Sequence, residues 1–180
     1  MGRPYYVGLL SAAQLHGAAH HRPQEFQVVI PDRAVRPVHG GNVHIRFYGK
    51  GPFDQSRTQE MKAPTGMIRV STPETAAWDL VRYAKAGGGL GNVITVLAEL
   101  VEKIDGNKLR DVVKLHREVI VAQRLGYLLD MLRRQDLSKL FIGMVKEAPW
   151  RRLEPTGEAA GAGENRKWRL LVNARLEPEA

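Results

Sequence analysis

Met67-Ile68-Arg69-Val70-Ser71-Thr72-Pro73-Glu74-Thr75-Ala76-Ala77-Trp78-Asp79-Leu80 is where this chain changes character. Met67 to Val70 has the residue types of a short strand. Thr72-Pro73-Glu74 is then a strong helix start. The threonine can cap, the proline loses nothing at the first helical position, and the acid sits beside the positive end of the helix. Behind it Ala77, Leu80, Val81 and Ala84 recur at helical spacing until the glycines at 87–89 stop the run. Strands are therefore expected before this point and helices after it.

Upstream, Phe26, Val28 and Ile30 alternate with Gln27 and Val29 between Pro23 and Pro31. After a loop with Pro37, Gly40 and Gly41, Val43, Ile45 and Phe47 alternate with His44, Arg46 and Tyr48, the cleanest period-two pattern in the chain. It predicts a strand with one buried face and a second face carrying His44, Arg46 and Tyr48. A further short strand is expected over Ser56–Met61. The opening segment, Tyr5 to Leu15, reads as a buried helix ended by Gly17. Downstream, Asn92 can cap a helix whose stripe is Val93, Val96, Leu97, Leu100, Val101 and Ile104. Further helices are expected over 108–116, 119–134 and 137–145.

Pro149 closes the helical part, and residues 157–164 have the composition of an exposed loop. Trp168, Leu170 and Val172 then alternate as a terminal strand. The expected architecture is α+β: a small mixed sheet packed against a helical bundle, with the C-terminal strand returning to that sheet. One domain is expected over 1–180, with a helix-plus-sheet lobe at 1–72, a helical lobe at 73–148, and a loop and terminal strand at 149–180.

The chain has 180 residues, 43% of them hydrophobic and 26% charged, enough to bury a real core. No apolar run approaches the roughly 18 residues of a membrane span. The N-terminus carries no secretory pattern, and the absence of cysteine removes disulfides, thiolate metal sites and cysteine nucleophiles. The expected location is the cytoplasm. A net charge of +8, spread along the whole chain, favours an anionic partner.

Few patterns suggest chemistry. His16, His20 and His21 approach ligand spacing, but Gly17 interrupts the helix, so a polar helix end is the better reading and no metal site is predicted. Asp54 followed by Glu60 and Lys62 has the residue types of a metal-dependent nuclease, in which paired acids hold a divalent ion and a lysine orients water. That arrangement needs a core strand and an acid from its neighbour. Gly87-Gly88-Gly89-Leu90-Gly91 follows a helix and lacks the third glycine of a dinucleotide loop, so it reads as an interhelical turn. No cofactor is predicted. The candidate binding residues are cationic: Arg33 and Arg36 around a turn, Arg46 on the polar strand face, and Arg124, Arg133 and Arg134 on one polar side of the helix over 119–134.

Several blocks, in order, carry a resemblance. Tyr5-Tyr6-Val7-Gly8-Leu9-Leu10-Ser11-Ala12-Ala13-Gln14-Leu15-His16-Gly17 resembles the opening of the C-terminal domain of AbiEi-type antitoxins. The likeness continues in Ile68 to Glu74 with Asp79-Leu80, in Gln123-Arg124-Leu125-Gly126-Tyr127-Leu128-Leu129, in Trp150-Arg151-Arg152-Leu153, and in Trp168 to Asn173. The resemblance implies the antitoxin and transcriptional autoregulator of a bacterial abortive-infection toxin–antitoxin system, acting by binding rather than catalysis. Its implied partner is an AbiEii-like nucleotidyltransferase toxin. In that family a winged helix-turn-helix ahead of this domain contacts operator DNA, and the present sequence begins at the domain itself. The alternative from the residues alone is a metal-dependent nuclease or another nucleic-acid-processing enzyme using Asp54, Glu60 and Lys62.

Overall fold

Thr72 caps the first long helix as expected, its Oγ1 accepting from the Thr75 N–H at 3.4 Å with Pro73 in the first turn. The structure, a computed structural model, describes residues 3–18, 23–31, 33, 35–64, 66–158 and 161–178. Before the cap lie β1 (Tyr6–Val7), α1 (Leu9–Leu15), β2 (Phe26–Pro31), β3 (Val38–Gly40), β4 (Val43–Lys50), β5 (Thr58–Ala63) and β6 (Gly66–Ser71). After it come α2 (Pro73–Arg82), α3 (Leu90–Leu100), α4 (Gly106–His116), α5 (Val119–Met131) and the short α6 (Gln135–Ser138) and α7 (Ile142–Val145). The chain finishes with β7 (Arg151–Arg152), β8 (Gly163–Asn165) and β9 (Leu170–Val172). The fold is α+β, as expected.

The main sheet is mixed and six-stranded, in the order β3-β4-β2-β1-β6-β5. Its centre is the two-residue β1, antiparallel to β2 and parallel to β6, so β1 joins the two halves of the sheet. The helix expected from Tyr5 therefore starts only at Leu9. Tyr6 and Val7, aromatic and β-branched, are fully buried in the ladder, and a Cβ on Gly8 would stand 2.8 Å from Val29. β3 and β4 form a hairpin through Gly41-Asn42, with Gly41 at φ +57°, as a two-residue turn demands.

α2 is buried along its length, from Glu74 to Val81, and touches α1, α3, α4 and α5. Sequence periodicity gave it one apolar face; the structure makes it the axis of the helical lobe. Small residues allow this: Thr75, Ala76 and Ala77 let neighbours approach from every side. Trp78 fills the remaining space, stacked on His116 and Phe141. Two helix starts shift from expectation. Asn92 lies inside the first turn of α3, its side chain donating to the Gly87 carbonyl at 2.6 Å, and Gly89 precedes the helix. α4 begins at Gly106 because Asp105 accepts from the N–H groups of Asn107 and Lys108.

The terminal strand forms, but it does not return to the main sheet. β9 pairs with β7 and β8 in a separate three-stranded sheet on α5. The anchor is Trp168, fully buried, whose ring occupies the space over Gly126; a Cβ there would fall 2.1 Å from the ring. Gln123, one turn earlier, donates to the carbonyls of Trp168 and Arg169 at 3.1 and 3.2 Å. Asp130 receives the Trp168 indole N–H at 2.8 Å. One apolar cluster runs from Val7 through the helices to Leu170 and Leu176. Among the described residues no helix is long and apolar enough to cross a membrane.

Candidate binding cleft

The polar face of β4 leads to the two charged sites of the molecule. At its end, two residues beyond the alternation that ends with Tyr48, Lys50 is fully buried. Its Nζ donates to Asp79 of α2 at 2.6 Å and to the Tyr6 hydroxyl at 3.2 Å, and Tyr6 donates to the other Asp79 oxygen at 2.7 Å. Burial, with the neighbouring Asp79 charge, pushes the Tyr6 phenol far above its ordinary range, so it stays a neutral donor. This knot ties sheet to helices and leaves no oxygen of Asp79 free. Its place is structural.

Earlier on the same face, Arg46 and Tyr48 look into a cleft of about 1000 Å³. β2 contributes Glu25 at its approach and Gln27; the end of α2 and the following turn contribute Arg82, Tyr83 and Lys85. Gly88 and Gly89, Arg124 of α5 and Glu154 to Thr156 after β7 complete its lining. Gln27 holds the walls in register. It takes the Leu10 N–H at 2.9 Å and donates to the Ala86 carbonyl at 3.0 Å. A smaller hollow of about 410 Å³ lies between α5 and the terminal segment, and its one charged wall residue, Arg175, is paired with Glu177.

The charges of the cleft differ in how they are held. Arg46 meets Glu25 with two N–H groups, Nε to Oε2, and Nη2 to Oε1 at 2.8 Å, and the hydrogen bond holds the Glu25 carboxyl below its ordinary range. Arg82 lies over the Tyr83 ring and donates to Glu118 at 2.8 Å and to the Tyr83 hydroxyl at 2.6 Å. Tyr83 passes its own proton to the Gly49 carbonyl at 2.6 Å. Burial raises the phenols of both Tyr48 and Tyr83, which therefore remain neutral hydrogen-bonding groups. Lys85 is exposed, and Arg124 has no carboxylate within ion-pair distance among the described residues. Arg124 donates from Nη2 to the Arg152 carbonyl at 3.1 Å, while its shielded Nε has no acceptor. Desolvation pulls its pKa below the usual arginine value.

Of the six arginines singled out in the sequence, the structure brings Arg46 and Arg124 together. Arg33 and Arg36 are exposed on the loop before β3. Arg133 and Arg134 do not continue the polar side of α5, because the helix stops at Met131 and Arg133 turns to φ +58°. Arg134 then folds back onto the Val101 carbonyl and Asp136, at 2.8 and 3.0 Å, and stitches the turn. Asp54 sits exposed in a 3-10 turn, and Glu60 and Lys62 are exposed on β5, an edge strand rather than a core one. His20 and His21 fall outside the described residues; His16 contacts the Ser71 carbonyl at 2.7 Å. Among the described residues no three His, Asp or Glu side chains group as a metal site.

Sequence reasoning passed over Tyr48, Arg82, Tyr83, Lys85 and Glu154 as cleft residues. The available signal was a helix ending in Arg82 and Lys85 immediately before the glycine turn.

The model of the AbiEi antitoxin C-terminal domain matches residues 6–131. The chain belongs to that family. The match ends with α5, so the blocks at Trp150–Leu153 and Trp168–Asn173 lie outside it, as does the Glu154 wall of the cleft. The crystal structure of the RV2827C protein from Mycobacterium tuberculosis superposes with a TM-score of 0.69 at 14% identity, over 92% of this chain and 61% of that one. That likeness shows the fold, and the chain spans about three fifths of that protein's length. No curated protein sequence matches.

Proposed function

We propose that the AbiEi-type chain neutralises its toxin and represses its own operon by binding, without chemistry of its own. The observation that carries this reading is the family match over residues 6–131, which spans every element of the main sheet and the axis of the helical lobe. The partner fitting the resemblance is an AbiEii-like nucleotidyltransferase. Operator DNA is the second partner, with its recognition assigned by that resemblance to a winged helix-turn-helix rather than to this domain. The cytoplasm, where both partners would be met, is the proposed location. The cleft supports binding as the mode of action: it gathers Arg46, Arg82, Lys85 and Arg124 around two tyrosines, a surface suited to an anionic group.

Coexpression with a candidate AbiEii-like nucleotidyltransferase toxin from the same locus tests the reading. Growth arrested by the toxin alone is expected to recover with the chain present. Arg46→Glu with Arg124→Glu should lose that rescue while keeping the far-ultraviolet spectrum, and Glu60→Ala should keep it. Arrest that persists despite soluble, folded chain would refute the antitoxin assignment.

A further inference from the structure

We propose that the cleft holds a phosphate-bearing small molecule, its phosphate oxygens taken by Lys85 and Arg124 beside the Gly88–Gly89 turn and its body lying against Tyr48. The inference rests on the cleft as a binding site but not on what the toxin is.

The argument begins with which charges are spent. Arg46 and Arg82 are each neutralised by a carboxylate, Glu25 and Glu118, and Arg82 is further fixed by Tyr83. These two define the walls. Lys85 and Arg124 line the cleft together with Gly88 and Gly89, and neither has an ion pair among the described residues. Arg124 is partly desolvated, holds the Arg152 carbonyl through Nη2 and lines the cleft. A charged oxygen is the acceptor that best compensates a partly desolvated guanidinium.

The glycine turn suits the same ligand. Gly88 and Gly89 adopt φ +84° and +89°, and a Cβ on Gly89 would meet nothing within 4 Å, so open space lies over bare backbone. An anionic oxygen already occupies the edge of this space: Glu154 Oε1 accepts from the Leu90 N–H at 3.3 Å. Glu154 is thus a built-in competitor for any anion at the turn. Size supplies the rest of the description. A cleft of about 1000 Å³ lies at the upper end of small-ligand sites, far larger than phosphate alone needs. Most of its remaining lining, including Tyr48, Val81, Ala84 and Ala86, is apolar or aromatic, with Gln27 and Thr156 polar. The chemistry is therefore a multiply charged oxyanion on a body with an apolar or aromatic face.

Isothermal titration and amide NMR of the full chain, at about 0.15 M ionic strength, test it with three probes: inorganic pyrophosphate, ATP and GTP. Saturable one-to-one binding is expected, with the amides of Gly88, Gly89 and Gly91 shifting. Lys85→Glu, at an exposed side chain, should weaken it by about tenfold, the loss of one charge-assisted contact. Lys108→Glu changes the net charge equally on the exposed side of α4 and should leave affinity nearly unchanged. Glu154→Gln should tighten binding by removing the competitor. ATP or GTP binding more tightly than pyrophosphate supports a nucleotide body against Tyr48; equal affinities support recognition of phosphate groups from any source. No saturation by roughly 1 mM with any probe, or equal weakening by Lys85→Glu and Lys108→Glu, overturns the proposal. A chain that rescues growth yet binds none of the three keeps the antitoxin reading and loses this one. Binding without rescue does the reverse.

Discussion

The Lys50–Asp79–Tyr6 knot and the cleft are built from the same face of one strand, and they treat charge in opposite ways. In the knot every polar group is sealed and answered: an ammonium, a carboxylate and a phenol share three contacts of 2.6–3.2 Å with no exposed side-chain surface on Lys50 or Asp79. In the cleft, Lys85 and Arg124 line an open cavity with no ion pair among the described residues. Satisfied burial marks a group whose work is done within the fold. A cleft-lining charge outside any ion pair is one still open to something from outside.

The largest expected effect tests the sealed side. Asp79→Asn leaves Lys50 buried with its charge uncompensated, and should cost about 3–5 kcal/mol in urea or thermal unfolding. Lys50→Met with Asp79→Leu removes both charges together and should recover most of that loss. If Asp79→Asn proved as mild as a surface change, water would have to reach Lys50, and the contrast with the cleft would fall.

Gly126→Ala should come next. A Cβ placed 2.1 Å from the Trp168 ring forces the ring off α5, with an expected loss of about 1–3 kcal/mol or more. The terminal sheet carries the Glu154 wall, so amide exchange should rise in β7 to β9 before the main sheet is affected. Uniform exchange across both sheets would show that the two unfold as one.

What the sequence disclosed follows this division between local and distant causes. The switch from strand to helix at Thr72-Pro73-Glu74 was legible because capping is settled within four residues. The strands β2 and β4 were legible because alternation is local too. The knot was not: no local pattern marks Lys50 or Asp79, and only their meeting across 29 positions makes them core residues. The placement of the last strand failed for the same reason, since Gly126 reads as an ordinary helix glycine until Trp168 lies on it. Of the cationic residues, Arg46 and Arg124 reached the cleft. Arg133 and Arg134 did not, because α5 ends three residues before its polar stripe does. A stripe cannot announce where its helix stops when the terminating turn is held by a distant carbonyl, here that of Val101.

A smaller effect should appear with pH. His116 is buried against Trp78 with neither ring nitrogen hydrogen-bonded. Desolvation, then the charge of Lys50, pull its pKa down to about 4; Asp79 opposes the shift and Arg82 adds to it. The unfolded chain, with His116 near its ordinary value, binds the proton more readily. Stability is therefore unaffected above about pH 6.5 and falls as pH drops from there toward 4, by at most about 1.4 kcal/mol per unit. His116→Phe should flatten that part of the curve in acid unfolding. An unchanged slope would mean that the carboxylates alone govern it.

The smallest effect on stability is the most telling for the cleft. Lys85 is exposed, and its replacement by alanine should alter unfolding by no more than about 0.5 kcal/mol. On the sealed side, removing one charge is expected to cost several times that. A residue whose loss the fold ignores can still be the one a ligand requires, and that is what separates an unspent cation from a spent one. Measuring Lys85→Ala and Asp79→Asn in the same urea series gives the ratio directly. A loss at Lys85 comparable with that at Asp79 would make Lys85 part of the fold's own charge balance and leave Arg124 as the cleft's single unpaired cation.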